Sequence, residues 1–149
     1  MSRPEDCPFC DPGEIGWRLI HEDEKVLSFL SNPRIVRGNA LVVPRRHIEP
    51  PEPMTDQEMI AVFSETERLR SVMLGRLAFL GVDVFQKTRP QVAQGHNGTK
   101  VNHLHFHVLP SYPGTELYDT GVIWTPDRFS PLTREEAAEL IPLLRKEAA

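Results

Sequence analysis

The sequence predicts an α+β domain built on a mostly antiparallel sheet. Strand-like segments come first, a long helical pattern follows, and further strand-like segments precede a final helical pattern. A chain of 149 residues with 40% hydrophobic and 26% charged residues suits one globular domain with one sizeable core. We therefore expect a single domain over residues 1–149, in which a long loop over 111–132 leads to a C-terminal helix over 133–149.

The first part of the chain predicts three strands. Residues 17–20 and 26–30 are strand-like, and the charged stretch 22–25 between them predicts a hairpin turn. Residues 38–44 contain an unbroken apolar run, which indicates a third strand that is buried on both faces and ends at Pro44.

A long helix and two more strands follow a proline-rich connector. Thr55 and Glu58 have the spacing of a capping box, and a helical apolar pattern runs from there to Leu77. We expect Gly81 to end this helix. Residues 82–86 predict the fourth strand, and residues 103–109 predict the fifth.

Three histidines occupy alternate positions of the fifth predicted strand, at His103, His105 and His107. Side chains at i, i+2 and i+4 line one face of a strand, so we expect the three imidazoles on one face, about 6–7 Å apart. Histidine is costly to bury without partners and titrates near neutral pH, so packing alone explains this row poorly. The residues expected to face the core instead are Leu104, Phe106 and Val108.

A structural role, a metal site and nucleophilic catalysis are the three interpretations of this row. One ion cannot bind all three rings, because the first and third lie ~13 Å apart on a flat strand and zinc ligands lie ~2.0–2.1 Å from the metal. We favour nucleophilic catalysis. A neutral imidazole can attack phosphorus and then leave, provided that an acceptor holds its other nitrogen. Neighbouring imidazoles or amides would stabilise charge on the phosphoryl oxygens.

Residues 103–109 resemble the signature of the histidine triad (HIT) superfamily of nucleotide hydrolases and transferases. Upstream blocks at 7–10, 21–23, 26–30 and 38–47 match the order and spacing of bacterial members, so the resemblance covers roughly residues 7–110. It implies a HIT-like α+β fold, with a five-stranded antiparallel sheet and two helices, and a homodimer. It also implies catalytic roles for the triad: His105 as the nucleophile that forms a nucleotidyl-histidine, His103 orienting it through a backbone carbonyl, and His107 against the phosphate.

Cys7 and Cys10 have the spacing of half a tetrahedral zinc site. A pair of inert thiols and a redox pair are the alternatives, and a redox pair is expected after a strand at the start of a helix. In zinc-containing members of the superfamily, the other ligands are a histidine after the third strand and the first triad histidine. The resemblance therefore implies a closed structural zinc site, which includes an N-terminal segment over 1–14. Its implied ligands are Cys7, Cys10, His47 and His103, with His96 as a competing fourth ligand.

The resemblance also implies a nucleotide site. Family members hold the base in an apolar slot and the ribose through a polar residue after the second strand; plain core packing is the alternative at the apolar positions. Ser31 stands where the family commonly has Asp or Asn, with Asn32 beside it. Thr99 replaces a glutamine that contacts phosphate in many members, and Lys100 adds a cation. The implied nucleotide-binding residues are Ile20, Leu27, Phe29, Ser31, Asn32, Asn97, Thr99 and Lys100.

These features predict a nucleotide hydrolase that acts on the α-phosphate of nucleoside phosphoramidates, dinucleoside polyphosphates or similar adducts. A nucleotidyltransferase or phosphorylase of the same superfamily is one alternative, and a nucleotide-binding module with little turnover is another. The formal net charge of −4 and the scattered basic residues predict no nucleic-acid polymer as a partner. No apolar run approaches the ~20 residues that span a bilayer, and residues 1–6 are polar, so we expect a cytoplasmic protein without membrane contact.

Overall fold

The computed structural model describes residues 7–88, 101, 103–120 and 129–145. Within them lies a five-stranded sheet in the order β1-β2-β3-β5-β4, and every neighbouring pair is antiparallel. The α+β fold predicted from the sequence is confirmed. The strands are β1 (Leu19–Glu22), β2 (Val26–Leu30), β3 (Ala40–Pro44), β4 (Gly81–Phe85) and β5 (Phe106–Ser111). The helices are α1 (Pro12–Ile15), α2 (Asp56–Leu74), α3 (Glu116–Thr120) and α4 (Arg134–Arg145).

Alternation along the strands gives the sheet two apolar faces. One face, the helix-side face, packs against α2 and α4 and includes Val26, Leu30 and Val42. The other, the site-side face, carries Leu27, Phe29, Leu41 and Val43 and packs against the N-terminal segment. Every residue of β3 is buried, as the apolar run predicted, and every residue of β2 is buried as well, because both faces are covered. Burying a large apolar side chain contributes ~1.5–3 kcal/mol, so both layers stabilise the sheet.

Helix α2 begins as predicted and ends earlier than predicted. The Glu58 N–H donates to Thr55 Oγ1 (3.2 Å), and the Thr55 N–H donates to Glu58 Oε1 (2.8 Å), which completes the capping box. The helix ends at Leu74 with Gly75 as its cap, so the expected end at Gly81 is wrong. Gly81 begins β4, where a Cβ would lie 2.5 Å from the Ser111 Oγ. A side chain at this position would require the Ser111 hydroxyl to move.

The histidine strand starts later than predicted. β5 begins at Phe106, so His107 lies in the strand and His103 and His105 precede it. The β3–β5 pairing ends at Val42 and Phe106, and the Pro44 carbonyl accepts a hydrogen bond from the His103 ring instead. Leu104 is only half-buried, and its N–H donates to the Ile48 carbonyl (2.9 Å), so it does not belong to the core as expected.

Other boundaries also move. Residues 17 and 18 lie in the 3₁₀-helix Gly16–Arg18, and the first strand starts at Leu19. The fourth strand is Gly81–Phe85 in place of 82–86. The predicted loop over 111–132 includes helix α3, and Ser130 bridges to Arg34. Among the described helices, none has the length and apolar character needed to cross a membrane.

Candidate active site and metal cluster

Four side chains from three parts of the chain lie close together, and we call this group the metal-binding cluster. Its members are Cys7, Cys10, His47 and His103. One ligand atom from each lies within 4.8 Å of all the others. His103 Nδ1 lies 3.5 Å from both sulfurs, and His47 Nδ1 lies 3.4 Å from Cys10 Sγ. A tetrahedral zinc ion with Zn–S of ~2.3 Å and Zn–N of ~2.0 Å places sulfur and nitrogen about 3.5 Å apart. The donor set and its spacing fit such an ion.

The cluster is held by short local structures. Cys7 and Cys10 close a 3₁₀ turn through a backbone hydrogen bond (3.0 Å), and Phe9 between them is buried in the site-side core. His47 follows the end of β3, and His103 is 1% exposed. Four donors of this kind would fill the tetrahedral shell of a structural zinc site.

Each histidine of the cluster is oriented by a hydrogen bond from its Nε2 atom, on the side of the ring away from the sulfurs. The Nε2–H of His103 donates to the Pro44 carbonyl (2.8 Å), and the Nε2–H of His47 donates to Glu49 Oε2 (3.1 Å). These bonds leave each Nδ1 as the atom that faces the sulfurs. Burial lowers the pKa of His103 to about 4, so its ring is neutral at neutral pH. Burial raises the pKa of Cys7 to about 12, so its thiolate form requires a nearby positive charge.

His105 has one ring nitrogen engaged and one available. Its Nδ1–H donates to the His103 carbonyl at 2.7 Å, which fixes the tautomer and leaves a lone pair on Nε2. Within the described residues, Nε2 makes no hydrogen bond. The ring meets Phe9 edge to face, with centroids 5.3 Å apart. Burial lowers the pKa of His105, which keeps the ring neutral and nucleophilic.

His107 has the opposite arrangement. The Ile35 N–H donates to Asn39 Oδ1 (3.1 Å), so the amide presents Nδ2 to the His107 ring. Asn39 Nδ2 donates to His107 Nδ1 (3.3 Å), which places the ring proton on Nε2. Burial, with repulsion from His105 and Lys87, lowers the pKa of His107 to about 3. A nucleophilic nitrogen on His105 therefore stands beside a hydrogen-bond donor on His107, with ring centroids 5.5 Å apart.

Two cavities lie near His105, and only the smaller one is lined by it. The larger, of about 480 Å³, is lined by Phe9, Arg18, Asn32 and Val101 among others, and Phe9 connects it to the His105 ring. The smaller, of about 210 Å³, is lined by His105 itself. Val101 lines both cavities, so they are neighbours.

The predicted base slot does not form as expected. Ile20 lies in the helix-side core, whereas Leu27 and Phe29 lie on the site-side face, so the three side chains do not share a surface. Successive residues of a strand face opposite sides, and Ile20 and Leu27 belong to opposite phases of the β1–β2 pairing. Phe29 is fully buried beneath Phe9 (ring centroids 5.2 Å) and supports the larger cavity from below.

The polar residues of the predicted nucleotide site differ in burial and in their hydrogen-bond partners. Ser31 is buried, and its hydroxyl donates to the Pro33 carbonyl (2.8 Å). Asn32 lines the larger cavity, and its Oδ1 accepts from the Leu132 N–H (2.9 Å). Residues 96, 97, 99 and 100, which include the competing ligand His96, lie outside the described residues.

Sequence reasoning missed four residues of this site: Phe9, Asn39, Phe85 and Lys87. Asn39 is a polar residue next to a fully buried strand, and a buried amide requires partners. Phe85 stacks on His107 (centroids 4.7 Å, planes 10° apart), and Lys87 lies two residues further along. The period-two alternation beyond the fourth predicted strand was the available signal for Lys87.

Comparisons with known proteins identify the family of this chain. The sequence matches the HIT domain family over residues 13–114. A HIT-like protein of Methanocaldococcus jannaschii is 39% identical over 111 residues, which cover 72% of this chain and 81% of that protein. A zinc-bound histidine triad family protein from Mycobacterium smegmatis shares the fold, with a TM-score of 0.66, 23% identity and 95% of each chain covered.

A second solved structure is that of the Plasmodium falciparum diadenosine triphosphate hydrolase in complex with cyclomarin A. Its TM-score is 0.64 at 12% identity, and the match covers 87% of this chain and 74% of that one. At this level of identity the two structures share the fold alone.

Proposed function

Because the chain belongs to the HIT domain family, we propose that it is a nucleotide hydrolase that attacks an α-phosphate with His105. The observation that carries this proposal is the environment of His105. Its Nδ1–H is held by the His103 carbonyl, and the ring lines a cavity. A neutral imidazole so oriented presents the Nε2 lone pair to a bound phosphoryl group.

The reaction proceeds in two displacements. His105 Nε2 forms a bond to the α-phosphorus, and the bond from phosphorus to the leaving oxygen or nitrogen breaks. The leaving group keeps that electron pair: a phosphate departs as an anion, whereas a nitrogen leaving group takes a proton from solvent and departs as an amine. Water then attacks phosphorus, the phosphorus–nitrogen bond breaks with its electron pair returning to Nε2, and the proton of the water passes to solvent. The His103 carbonyl stabilises the imidazolium in between, because its hydrogen bond to Nδ1–H strengthens as the ring gains charge.

His107 and the larger cavity have supporting roles. The Nε2–H of His107 donates to a non-bridging phosphoryl oxygen, where negative charge increases in the transition state. The nucleoside occupies the larger cavity, which adjoins His105 through Phe9 and offers Asn32 as a polar contact. A nucleotide substrate is also consistent with the name of the P. falciparum hydrolase that shares the fold.

We also propose zinc as the resident of the metal-binding cluster. The cluster fits tetrahedral coordination, and the M. smegmatis relative is zinc-bound. Bound there, zinc would supply a cross-link between the N-terminal segment, the loop after β3 and the residue that orients His105. Metal analysis of protein purified without chelator tests this assignment; less than about a fifth of an equivalent would contradict it.

A homodimer is the assembly that we propose. In the described sheet, β4 pairs only with β5 and forms an edge, and an edge strand can pair with another chain. Apolar side chains on α2 and around β4 are exposed, including Phe63 (67%) and Val84 (44%). Light scattering should give a dimer, and the double variant Phe63→Asp, Val84→Lys should give a folded monomer. A monomeric wild-type protein at micromolar concentration would refute the dimer. Tyr118→Ser, which removes an exposed aromatic side chain elsewhere, is the matched control.

Hydrolysis of an adenosine phosphoramidate and of diadenosine triphosphate tests the function. We expect turnover of at least one of them, and His105→Ala should lower it by about 10³-fold or more, as for other nucleophile deletions. His21→Ala, which alters an exposed histidine paired with Asp23, should keep wild-type activity. Retention of more than about a tenth of turnover by His105→Ala would overturn the nucleophile assignment. Tight AMP binding without turnover would identify a binding module instead.

A further inference from the structure

The strand register brings a lysine to the nucleophile. In the β4–β5 pair, Asp83 lies opposite Leu109 and Phe85 lies opposite His107. The observed pairing ends there, and Lys87 and His105 each lie two residues beyond this last pair. Residues at i and i+2 share a face, so Lys87 follows Phe85 on the site-side face.

Side-chain contacts agree with the register. Lys87 Nζ lies 5.6 Å from the centroid of the Phe85 ring, and that ring stacks on His107. Lys87 and His105 line the same cavity of about 210 Å³, together with Gln86 and Thr88. The Lys87 charge is also one of the causes that lower the pKa of His107, so it lies within electrostatic range of that ring.

The rest of this cavity determines what it can accept. Its opposite wall is apolar, with Ile48, Pro50 and Pro51. Its one carboxylate among the described lining residues, Glu52, is paired with Arg46 at 2.7 Å. The volume lies below the ~300–1,000 Å³ of pockets that bury a drug-sized ligand, so the cavity suits a small group such as one or two phosphates.

We propose that this cavity is the leaving-group subsite and that Lys87 makes it selective for leaving groups that begin with a phosphate. The inference rests on the proposed function and narrows its substrate class to dinucleoside polyphosphates and related anhydrides. The nucleoside lies on the Phe9 side of His105, and the departing group lies on the Lys87 side. When the phosphorus–oxygen bond breaks, the leaving oxygen gains negative charge that an ammonium stabilises. An amine leaving group takes up a proton as it departs, and Lys87 repels it.

Nucleotide binding gives the first test. In a His105→Asn background, which prevents turnover, calorimetry compares ADP with AMP, because only ADP carries the extra phosphate. Lys87→Met should weaken ADP binding by about tenfold or more and AMP binding by about threefold or less. Lys25→Met, which alters an exposed lysine in the β1–β2 turn, is the matched control and should change neither affinity. Equal weakening of both nucleotides, or of neither, would overturn the subsite.

The second test is kinetic and compares two substrates that share the same AMP moiety but differ in the leaving group. Lys87→Met should lower kcat/KM for diadenosine triphosphate at least about tenfold more than for an adenosine phosphoramidate with a neutral amine leaving group. Lys87→Glu should reverse the preference between the two substrates. An equal loss on both substrates would place Lys87 at the α-phosphate and refute the proposal. If wild-type protein binds neither AMP nor ADP, the proposed function itself fails, whereas normal AMP binding without a Lys87 effect refutes only the subsite.

Discussion

The metal-binding cluster and the His105–His107 pair use the same residue type in opposite ways. In the cluster, each histidine has both ring nitrogens engaged: Nε2 by a backbone carbonyl or Glu49, and Nδ1 toward the sulfurs. In the pair, each ring has one nitrogen engaged, and the second points toward the site. The number of ring nitrogens that the fold occupies therefore separates a structural histidine from a reactive one.

His103 joins the two regions. Its ring belongs to the metal-binding cluster, and its backbone carbonyl accepts the Nδ1–H of His105. We expect the metal-binding cluster to affect His105 more than His105 affects the cluster. Loss of a ligand would shift His103 and so disorient His105, whereas loss of the His105 side chain removes no ligand. The predictions below test this difference, from the largest expected effect to the smallest.

Replacing neighbouring triad histidines should give opposite phenotypes. His105→Ala should lose about 10³-fold or more in activity yet keep its metal and thermal stability. His103→Ala should lose metal and several kcal/mol of stability, because a buried ligand is removed. Metal content by mass spectrometry and thermal unfolding distinguish the two variants. If His105→Ala also lost its metal, the two regions would not be separable.

Removing a cysteine ligand should destabilise the fold before it affects the chemistry. Cys10→Ser, or chelation of the wild-type protein, should lower the free energy of unfolding by about 3 kcal/mol or more. Denaturant unfolding with and without added zinc measures the change, and His21→Ala is the control outside the cluster. Unchanged unfolding after complete metal removal would contradict a structural role.

The buried carboxylate behind His47 should tune metal affinity. Glu49→Ala removes the acceptor of the His47 Nε2–H, and such partners change metal affinity by about 10–100-fold. Competition with a chromophoric chelator measures the zinc affinity directly. Glu22→Ala, which alters an exposed carboxylate paired with Arg45, should leave that affinity unchanged. Equal affinities for both variants would show that Glu49 does not orient the ligand.

Asn39 should determine the tautomer of His107. Asn39→Ala removes the donor to Nδ1, so the ring should populate both tautomers and kcat should fall by about tenfold. Nitrogen-15 chemical shifts of the His107 ring report the tautomer in the wild-type protein and in the variant. A wild-type ring with its proton on Nδ1 would refute the donor role of His107.

The smallest effect concerns the segment that carries His47. Arg46 donates to both oxygens of Glu58 (3.0 and 2.8 Å), and this pair lowers the pKa of Glu58 to about 2. A lowered carboxyl pKa stabilises the fold above the unfolded value of 4.5, and the contribution is lost as pH falls toward 2. Near pH 7, the free energy of unfolding of the wild-type protein should exceed that of Glu58→Gln by about 1–2 kcal/mol. Denaturant unfolding at several pH values should show this difference in the free energy of unfolding decreasing below pH 4.5. A difference that does not depend on pH would contradict the ion-pair explanation.

The sequence was most informative where chemistry depends on residue type and short spacing. Cys7 and Cys10 have the spacing of half a zinc site, the family resemblance implied His47 and His103, and the structure brings the four together. It was least informative where tertiary pairing decides. The start of β5 depends on where the β3–β5 pairing ends, and the position of Lys87 depends on the β4–β5 register. The end of α2 was misplaced because Gly75 and Gly81 look alike in sequence, although only Gly75 caps the helix.

The central claim is that the Nε2 atom of His105 attacks phosphorus. Rapid acid-free quenching during turnover of diadenosine triphosphate, followed by peptide mass spectrometry, measures it most directly. The account predicts one nucleoside monophosphate attached to the peptide that contains His105, with the bond stable in base and cleaved in acid. An adduct on another residue, or turnover without an adduct under conditions that trap other phosphohistidines, would contradict the account.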